Sequence, residues 1–299
     1  MATSLYISNE RLMAVCGRVN SRRIAIRAYA EMDLPAGSVI NGVITNEAAF
    51  AEALKQLAGQ MGKSFADVRI VLNASRVYVK RAVLPRLPKG KLIELVAGEF
   101  TDVDTDADDE LIYDCMTLRS LGAGQGNAAL ICAAKRSLVA SYAELFDSLK
   151  IRLSGMDTVH AALIKLTGLL PQTREKTFIV LGLDGNTVDA TLFTGGEFRL
   201  NNRARLIAER GTAESTAEIS RMVSSILQFN ASERSGAVIG GVFVIGARGG
   251  EAAMCASIAA AYDLPATALE DEGGLIAAPG DGTFELSQYA YAVGNLIGA

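Results

Sequence analysis

A pattern of short apolar strands separated by tight polar turns occurs twice in this 299-residue chain, and it limits the fold more than any other feature. The second copy is TFIVLGLDGNTVDATLFTGGEF, residues 177–198, where Asp184 and Gly185 stand at the turn between two apolar runs. The first copy, LYISNERLMAVCGRVNSRRIAIRAYAE, residues 5–31, has the same order of strand, turn and strand. Period-two alternation and Gly, Asn and Asp turns predict β-hairpins in both places.

A helix is predicted after each copy. The first helix begins near Asn46 and places four apolar side chains on one stripe: Phe50, Leu54, Leu57 and Met61. In the second, the sequence STAE at residues 215–218 predicts a capping box. The apolar residues that follow it at helical spacing are Ile219, Met222, Val223, Ile226 and Leu227. A duplicated strand-rich unit with crossover helices predicts two related α/β halves.

An additional module is predicted between the halves. Its segments are a strand at 76–84, a turn at 85–88, a helix at 89–100, strands at 111–118 and 128–133, and a helix with Leu138, Tyr142, Leu145 and Leu149 on one face. This βαββα unit is expected to be a small subdomain inserted into the first half. Asp157 is predicted to cap a further helix at 158–170. The expected division is therefore 1–76 with 135–170, the insertion 77–134, and a second half 171–299.

Composition and charge exclude several classes of function. The chain has a net charge of −4 and no excess of basic residues, so nucleic acid is not an expected partner. No apolar run approaches the roughly 20 residues of a membrane helix, and the start MATSLYISNERL lacks the features of a signal peptide. The four cysteines are scattered without a CxxC pair, which argues against zinc and against a disulfide framework. A soluble cytosolic chain is the expectation.

Three segments that look like binding sites have simpler interpretations. The run TDVDTDADDE at 101–110 has Ala107 and Tyr113 where a calcium loop needs Gly and Glu, so a solvated acidic loop is predicted. The loop LGAGQG at 121–126 leads into the strand AALICAA rather than a helix, which predicts a hairpin connection. His160, the only histidine, is given a structural role, and catalysis by a histidine base is not expected.

The loop GARGG at 246–250 is better placed, because a strand, GVFVI, precedes it and a helix at 251–262 follows. This order can present backbone N–H groups to an anion or let a flat base lie close. The loop has no GK[ST] and is not a Walker A loop. A close strand–helix turn and a ligand site are equally good interpretations.

Taken together, these segments resemble the PilM family of type IV pilus assembly proteins, relatives of the divisome protein FtsA with an actin-like fold. The resemblance covers nearly the whole chain. Its best passages are VYVKRAVLPRLPKGKLIELVAGEF at 77–100, ALICAAKRSLVASYAELFDSLKIRLSGMDTVHAAL at 129–163, RARLIAERGTAESTAEISRMVSSILQF at 203–229, and the closing YAYAVGNLIGA. It implies an actin-like α/β fold with two ribonuclease H-like halves (1A, and 2A with 2B), in which the inserted βαββα unit would be subdomain 1C.

The resemblance also implies a function. PilM-like proteins are cytoplasmic, ATP-binding ring or scaffold components that hold a short N-terminal peptide of the inner-membrane protein PilN in a groove between subdomains 1A and 1C. Self-association is a further expectation. FtsA proteins end in a basic amphipathic helix, whereas this chain closes on QYAYAVGNLIGA without Lys or Arg, so membrane association is expected only through a partner.

Actin-like proteins hold nucleotide phosphates on two hairpins, each with Asp-x-Gly at its turn, and pack a Gly-Gly loop on the adenosine. Aspartate holds Mg²⁺ and its water, while glycine lets backbone amides approach the phosphate. Aligned without gaps, the first hairpin has Tyr6 at the aspartate, Ser8 at the glycine and Met13 at a frequent lysine. The second has Gly182 at the aspartate and Asp184 at the glycine, and a shift of two residues would align Asp184 and Gly185 but shorten the next strand. The third motif keeps Gly246 and has Ala247 as its second residue.

These departures predict a scaffold with a degenerate nucleotide site and without catalytic residues. The alternative is an active Mg-ATP-dependent ATPase of pilus assembly or cell division, in which Asp184, with Glu10 or Asn9, would support the metal. If ATP is bound, the predicted residues are Ser8, Asn9, Asp184, Gly185, Asn186, Gly246, Arg248 and Gly249.

No groove residues for the partner peptide follow from the sequence. The strand RVYVKRAVL is a candidate wall, with Tyr78, Lys80 and Ala82 on one face and Val77, Val79 and Arg81 on the other. The simpler alternative is that both faces are packed or solvated.

Overall fold

The computed structural model describes residues 1–103, 109–122, 124–233, 236–247, 251–280 and 284–298. The strands in these residues are β1 Ala2–Ile7, β2 Arg11–Asn20, β3 Arg23–Asp33, β4 Val39–Ile40, β5 Val43–Ile44, β6 Asp67–Leu72, β7 Val77–Leu84, β8 Leu111–Ser120, β9 Asn127–Lys135, β10 Arg152–Thr158, β11 Phe178–Asp184, β12 Thr187–Thr194, β13 Glu197–Arg205, β14 Val242–Ile245, β15 Ala266–Ala268 and β16 Ile276–Ala277. The helices are α1 Glu47–Met61, a 3₁₀ turn Gly62–Phe65, α2 Lys89–Gly98, α3 Arg136–Ser148, α4 Val159–Leu169, α5 Ala213–Ser232, α6 Glu251–Tyr262 and α7 Leu286–Leu296.

The two main sheets share one topology, which confirms the duplicated hairpins. The first has the order β10-β6-β1-β2-β3-β16 and the second the order β13-β12-β11-β14-β15. In each, three antiparallel strands that follow one another in sequence are extended by two parallel strands. The strand β16 is an addition to the first sheet, parallel to β3.

The helices and the two main sheets form five layers, in which helices alternate with sheets. The apolar faces of α1 and α3 pack on the outer side of the first sheet, and those of α5 and α6 pack on the outer side of the second. Between the sheets, α4 and α7 share one core with apolar residues of both. The predicted stripe of α1 is fully packed, and Asn46 caps this helix by accepting the backbone N–H of Ala49. None of the helices within the described ranges is long and apolar enough to cross a membrane.

The C-terminal elements correct the expected division of the chain, which assigned all of 171–299 to the second half. Every residue of α7 except Gln288 is buried, because this helix lies in the central layer against α4 and the strands β1, β2 and β6. The amide of Asn295 donates to Ser4 Oγ, 3.0 Å away, and thereby joins α7 to β1. The strand β16 pairs with the first sheet. A helix that is buried on nearly all sides has to lie between two layers.

The inserted module is a three-stranded antiparallel sheet, β7-β9-β8, with α2 over one face. Its predicted order of elements agrees with the structure up to β9. The last helix of the expected βαββα unit, α3, packs Leu138, Tyr142 and Leu145 into the core of the first sheet, in agreement with the division that placed 135–170 in the first half. The opposite face of the module contacts the central layer through Val79 and Leu130.

Both faces of the candidate wall β7 are packed. Tyr78 and Ala82 lie under α2, and the ammonium group of Lys80 stands 5.0 Å from the ring centre of Phe100. On the other face, Arg81 pairs with Glu197 of the second half. Both faces of this strand therefore make contacts within the chain.

Two predicted helix caps are wrong. The cap of α5 is Thr212, whose hydroxyl accepts the N–H of Ser215, so Ser215 is already inside the helix. Glu218 instead accepts the backbone N–H groups of Ile207 and Ala208 in the preceding loop. The cap of α4 is Thr158 rather than Asp157, because residues 152–158 form a strand up to that point.

Glu197 links the module to the second half, and its neutralisation tests that link. Its carboxylate pairs with Arg81 at 2.7 Å and also with Arg119. The pairs are partly exposed, so we expect Glu197→Gln to lower the free energy of unfolding by only about 1 kcal/mol. Amide exchange in β7 and β8 should accelerate. Glu233→Gln, which breaks a pair with Arg199 inside the second half, is the control and should leave exchange in the module unchanged.

Candidate functional site

The turns of the two duplicated hairpins meet between the halves. In the second hairpin Asp184 ends β11 and pairs with Thr187, and Gly185 occupies the turn with a φ of 56°. Glycine adopts this left-handed conformation without strain. Asp184 and Gly185 therefore stand at the turn end of the hairpin, and β12 runs for 8 residues. Gly182 lies mid-strand against the hydroxyl of Tyr291.

Asp184 is bound by the first hairpin. The backbone N–H of Asn9 donates to its Oδ1 at 2.9 Å, and the side-chain amide of Asn9 donates to its Oδ2 at 3.1 Å. The hydroxyl of Tyr6 donates to the same Oδ2 at 3.4 Å. The side-chain oxygen of Asn9 accepts the N–H of Asn41 at 2.7 Å, which fixes the orientation of the amide. We call the Asn9–Asp184 contact the clasp.

Burial determines the electrostatics of the clasp. Asp184 is 4% exposed, and its desolvation raises the pKa of the carboxyl group to about 6, although the N–H of Asn9 acts in the opposite direction. Burial, together with the charge of Asp184, also raises the pKa of Tyr6 far above its usual range. Tyr6 is therefore a neutral donor to the carboxylate at neutral pH.

The remaining turn residues are used by the hairpins themselves. Ser8 Oγ accepts the N–H groups of Glu10 and Arg11, at 3.1 and 2.8 Å, and so closes its own turn. The carboxylate of Glu10 packs against Gly185, where an added Cβ would lie 2.9 Å from Oε1. Asn186 is exposed, and its carbonyl accepts the N–H of Leu206. A phosphate entering between the turns would have to displace these contacts and approach two carboxyl groups.

A buried polar network lies below the clasp. Asp189 accepts hydrogen bonds from the amides of Asn73, at 2.9 Å, and Asn201, at 3.2 Å. Arg203 contacts both Asp189, at 3.7 Å, and Asn73. Asn73 follows β6 of the first half, so the network joins the halves a second time. Sequence reasoning missed these residues, although the alternation of Thr187, Asp189 and Thr191 along β12 is a signal for a polar face.

Arg210 connects Gly246 to a cavity that lies between the second hairpin, α5 and the start of α6. Gly246, with a φ of 77°, donates its N–H to the carbonyl of Ser287 and accepts from Arg210 at 3.1 Å. Arg210 also pairs with Glu251 at 2.6 Å, so its charge is balanced. The cavity measures about 440 Å³ and is lined by residues that include Asn186, Glu209, Arg210, Ser215, Glu251 and Met254. The predicted residues Arg248 and Gly249 lie outside the described residues.

In the part of the chain that the structure describes, the acidic run and the loop at 121–126 bring no metal ligands together. Residues 104–108 of the acidic run lie outside the described residues, and its flanks Asp102 and Asp109 are bound by Lys80 and Ser137. Within the described ranges, no group of three or more His, Cys, Asp or Glu side chains is arranged to hold a metal. The loop at 121–126, whose residue 123 is not described, joins β8 to β9 as predicted.

His160 is half-buried on α4, with its ring edge-on to Phe198. Burial lowers its pKa below the usual value, so the imidazole is neutral at neutral pH. These surroundings favour the structural role expected of it.

Comparison with known proteins supports the fold but gives no match in sequence. No protein-family model and no curated protein sequence matches the chain. A solved structure described as a "PilM-PilN type IV pilus biogenesis complex" is similar over 99% of this chain and 97% of that one, with a TM-score of 0.79 and 17% identity. A Bacteroides thetaiotaomicron VPI-5482 protein with an actin-like ATPase fold follows, at a TM-score of 0.55 and 9% identity over 99% of this chain and 95% of that one. The ethanolamine utilization protein EutJ from Carboxydothermus hydrogenoformans has a TM-score of 0.53 and 8% identity, over 99% of this chain and 89% of that one. The predicted actin-like α/β fold is confirmed, and with it the resemblance to PilM in structure.

Proposed function

We propose that this protein is a PilM-like cytoplasmic scaffold of a type IV pilus or related type II secretion-like machine, held at the inner face of the membrane by a short peptide of a PilN-like membrane protein. The observation that carries the proposal is the likeness to the PilM–PilN structure along almost the whole of both chains, with a TM-score of 0.79. The inserted module, which the family resemblance makes one wall of the partner groove, is present as a folded β-sheet with its own core.

The site geometry disfavours hydrolysis of ATP. Magnesium sites in nucleotide-binding proteins rest on one or two carboxylates plus the substrate phosphates. Here both oxygens of Asp184 already accept hydrogen bonds, and Arg210, the cation that lines the 440 Å³ cavity, is paired with Glu251. The donor set fits a closed contact between the halves better than a magnesium-bound nucleotide.

The partner peptide is proposed to add to the outer edge of β7. Both faces of this strand are covered, and β9 pairs with one of its edges. Within the described residues the other edge has no strand partner. An extended peptide can use such an edge for main-chain hydrogen bonds. Val83, 64% exposed at the end of β7, offers an apolar contact.

Hydrogen exchange with the peptide tests this proposal. The probe is the N-terminal cytoplasmic segment of the PilN-like protein from the same organism, titrated with the full chain. We expect slower amide exchange in residues 77–84 and unchanged exchange in 111–120, the other edge strand of the same sheet. Absence of peptide binding at high peptide concentration would contradict the scaffold function, and protection of 111–120 alone would move the groove to β8.

Calorimetry with MgATP tests the alternative function, an active Mg-ATP-dependent ATPase, which the 440 Å³ cavity lined by Arg210 and Glu251 favours. We expect no binding heat and no upward shift of the melting temperature at millimolar MgATP. A true site at 100 times its Kd would stabilise the fold by about 2.7 kcal/mol. Binding that is lost in Asp184→Asn but kept in Asp263→Asn, an exposed position, would favour the ATPase.

A further inference from the structure

Unpaired cations gather at one end of the first sheet, where β1, β6, β10 and β3 begin and β2 ends. Three are on the β2–β3 hairpin, one is on the 3₁₀ turn after α1, and one precedes β10. They are Arg18, Arg22, Arg23, Lys63 and Lys150, and all five are exposed. None of their side chains makes an ion pair or hydrogen bond with another described residue.

The hairpin carries these charges beyond the sheet. The pairing of β1 with β2 stops at Ala2 and Gly17, so residues 18–23 extend past the neighbouring strand. The turn between β2 and β3 is tight, with Ser21 at a φ of 53°. The arginines therefore stand on a narrow projecting ribbon rather than in a concave site.

The carboxylates near this end leave the cations in excess. Asp67 is paired with Arg152 at 3.6 Å, and Asp147 belongs to the last turn of α3. On the side of β16, the side chain of Asp271 accepts the N–H of Ile276, and Glu272 is exposed. In a chain of net charge −4, five unpaired cations at one end make a strongly polarised surface.

We infer that this end of the molecule, with the β2–β3 hairpin at its tip, docks on a membrane surface of anionic phospholipid. Guanidinium groups bind phosphate oxygens in two-point contacts, and basic residues near an anionic leaflet are attracted to it. A projecting tip favours lipid over an acidic protein, because headgroups in a plane can gather around it, whereas a protein partner needs a complementary surface of roughly 1,000 Å². The contact is independent of the PilN-like peptide proposed above.

Vesicle flotation with the purified full chain tests the inference. The probes are vesicles of phosphatidylcholine alone and of equal parts phosphatidylcholine and phosphatidylglycerol. We expect binding to the anionic vesicles only, and its loss in high salt, because salt screens exposed charges. The variant Arg18→Gln/Arg22→Gln/Arg23→Gln should bind about 100-fold more weakly, at about fivefold per arginine.

A charge-matched control variant distinguishes vesicle binding by this end of the molecule from an effect of the net charge of the chain. Lys55→Gln/Lys91→Gln/Arg221→Gln removes three exposed cations elsewhere and should retain most of the binding. Equal loss in both variants, or no binding of the wild type to anionic vesicles, would overturn the inference. Binding of polyglutamate in place of anionic vesicles would overturn it in favour of an acidic protein partner. None of these outcomes depends on the PilN-like peptide, so the two proposals fail separately.

Discussion

Gly294→Ala is expected to lower the free energy of unfolding by about 3 kcal/mol, the upper part of the range for overpacked cores. Gly294 lies on α7 where that helix crosses α4, and an added Cβ would overlap the carbonyl oxygen of Ala162 and stand 2.7 Å from its carbonyl carbon. The obstacle is backbone, which cannot rotate away as a side chain can. The two central helices would have to separate, and both sheets pack on them.

Denaturant unfolding of the full chain measures this effect, with Gly168→Ala as the control. Gly168 is also a helical glycine, on the other helix of the same pair, but an added Cβ there meets no atom within 4 Å. Alanine at Gly168 should therefore be neutral or stabilise by about 0.5–1 kcal/mol, since glycine inside a helix costs that much. If the two variants were equally stable, the close crossing of α4 and α7 would be wrong. A Gly294→Ala chain that fails to fold while Gly168→Ala folds agrees with the prediction.

The elements that the sequence predicted are those with a strong local pattern. The stripe of α1, the apolar run of β11, the alternation of β12, and the order of β7, α2, β8 and β9 depend on spacing within a few residues, and each agrees with the structure. The strand β10, RLSGMDT, was missed because its pattern is polar and interrupted by a bulge at Leu153. It is a strand because it pairs with β6, which is about 85 residues away along the chain.

The candidate site was likewise predictable only where a local pattern marks it. The turn at Asp184 and Gly185 is predictable, because Asp-Gly between apolar runs is a hairpin signal. The partner of Asp184 is not predictable, since Asn9 is 175 residues away and reaches it only when the halves pack together. The location of α7 was missed for a similar reason, because its sequence is compatible with any buried layer and only the packed fold selects the central one.

The pH dependence of stability should reveal Asp184, and Asp184→Asn should remove it. The carboxyl group has an ordinary pKa of 3.8 and a pKa of about 6 in the folded protein, so the folded chain binds this proton more tightly than the unfolded chain does. The stability that this group contributes is therefore greatest below about pH 4 and is lost as pH rises through about 6. A shift of this size corresponds to about 3 kcal/mol. Relative to the wild type, Asp184→Asn should gain up to that amount of stability between pH 4 and pH 7.

Urea unfolding of both proteins at several pH values between 4 and 7 measures the difference, and Asp263→Asn is the matched control. Asp263 is exposed and has a φ of 52°, a conformation that asparagine tolerates as well as aspartate, so its stability relative to the wild type should change little with pH. A difference between Asp184→Asn and wild type that is constant with pH would contradict a buried, proton-binding clasp.

The same titration bears on the nucleotide site. A magnesium ion on Asp184 would stabilise the charged carboxylate and lower its pKa, so magnesium with ATP should flatten the wild-type curve if the site binds them. A curve unchanged by MgATP would support an Asp184 that holds the two hairpins together and no metal.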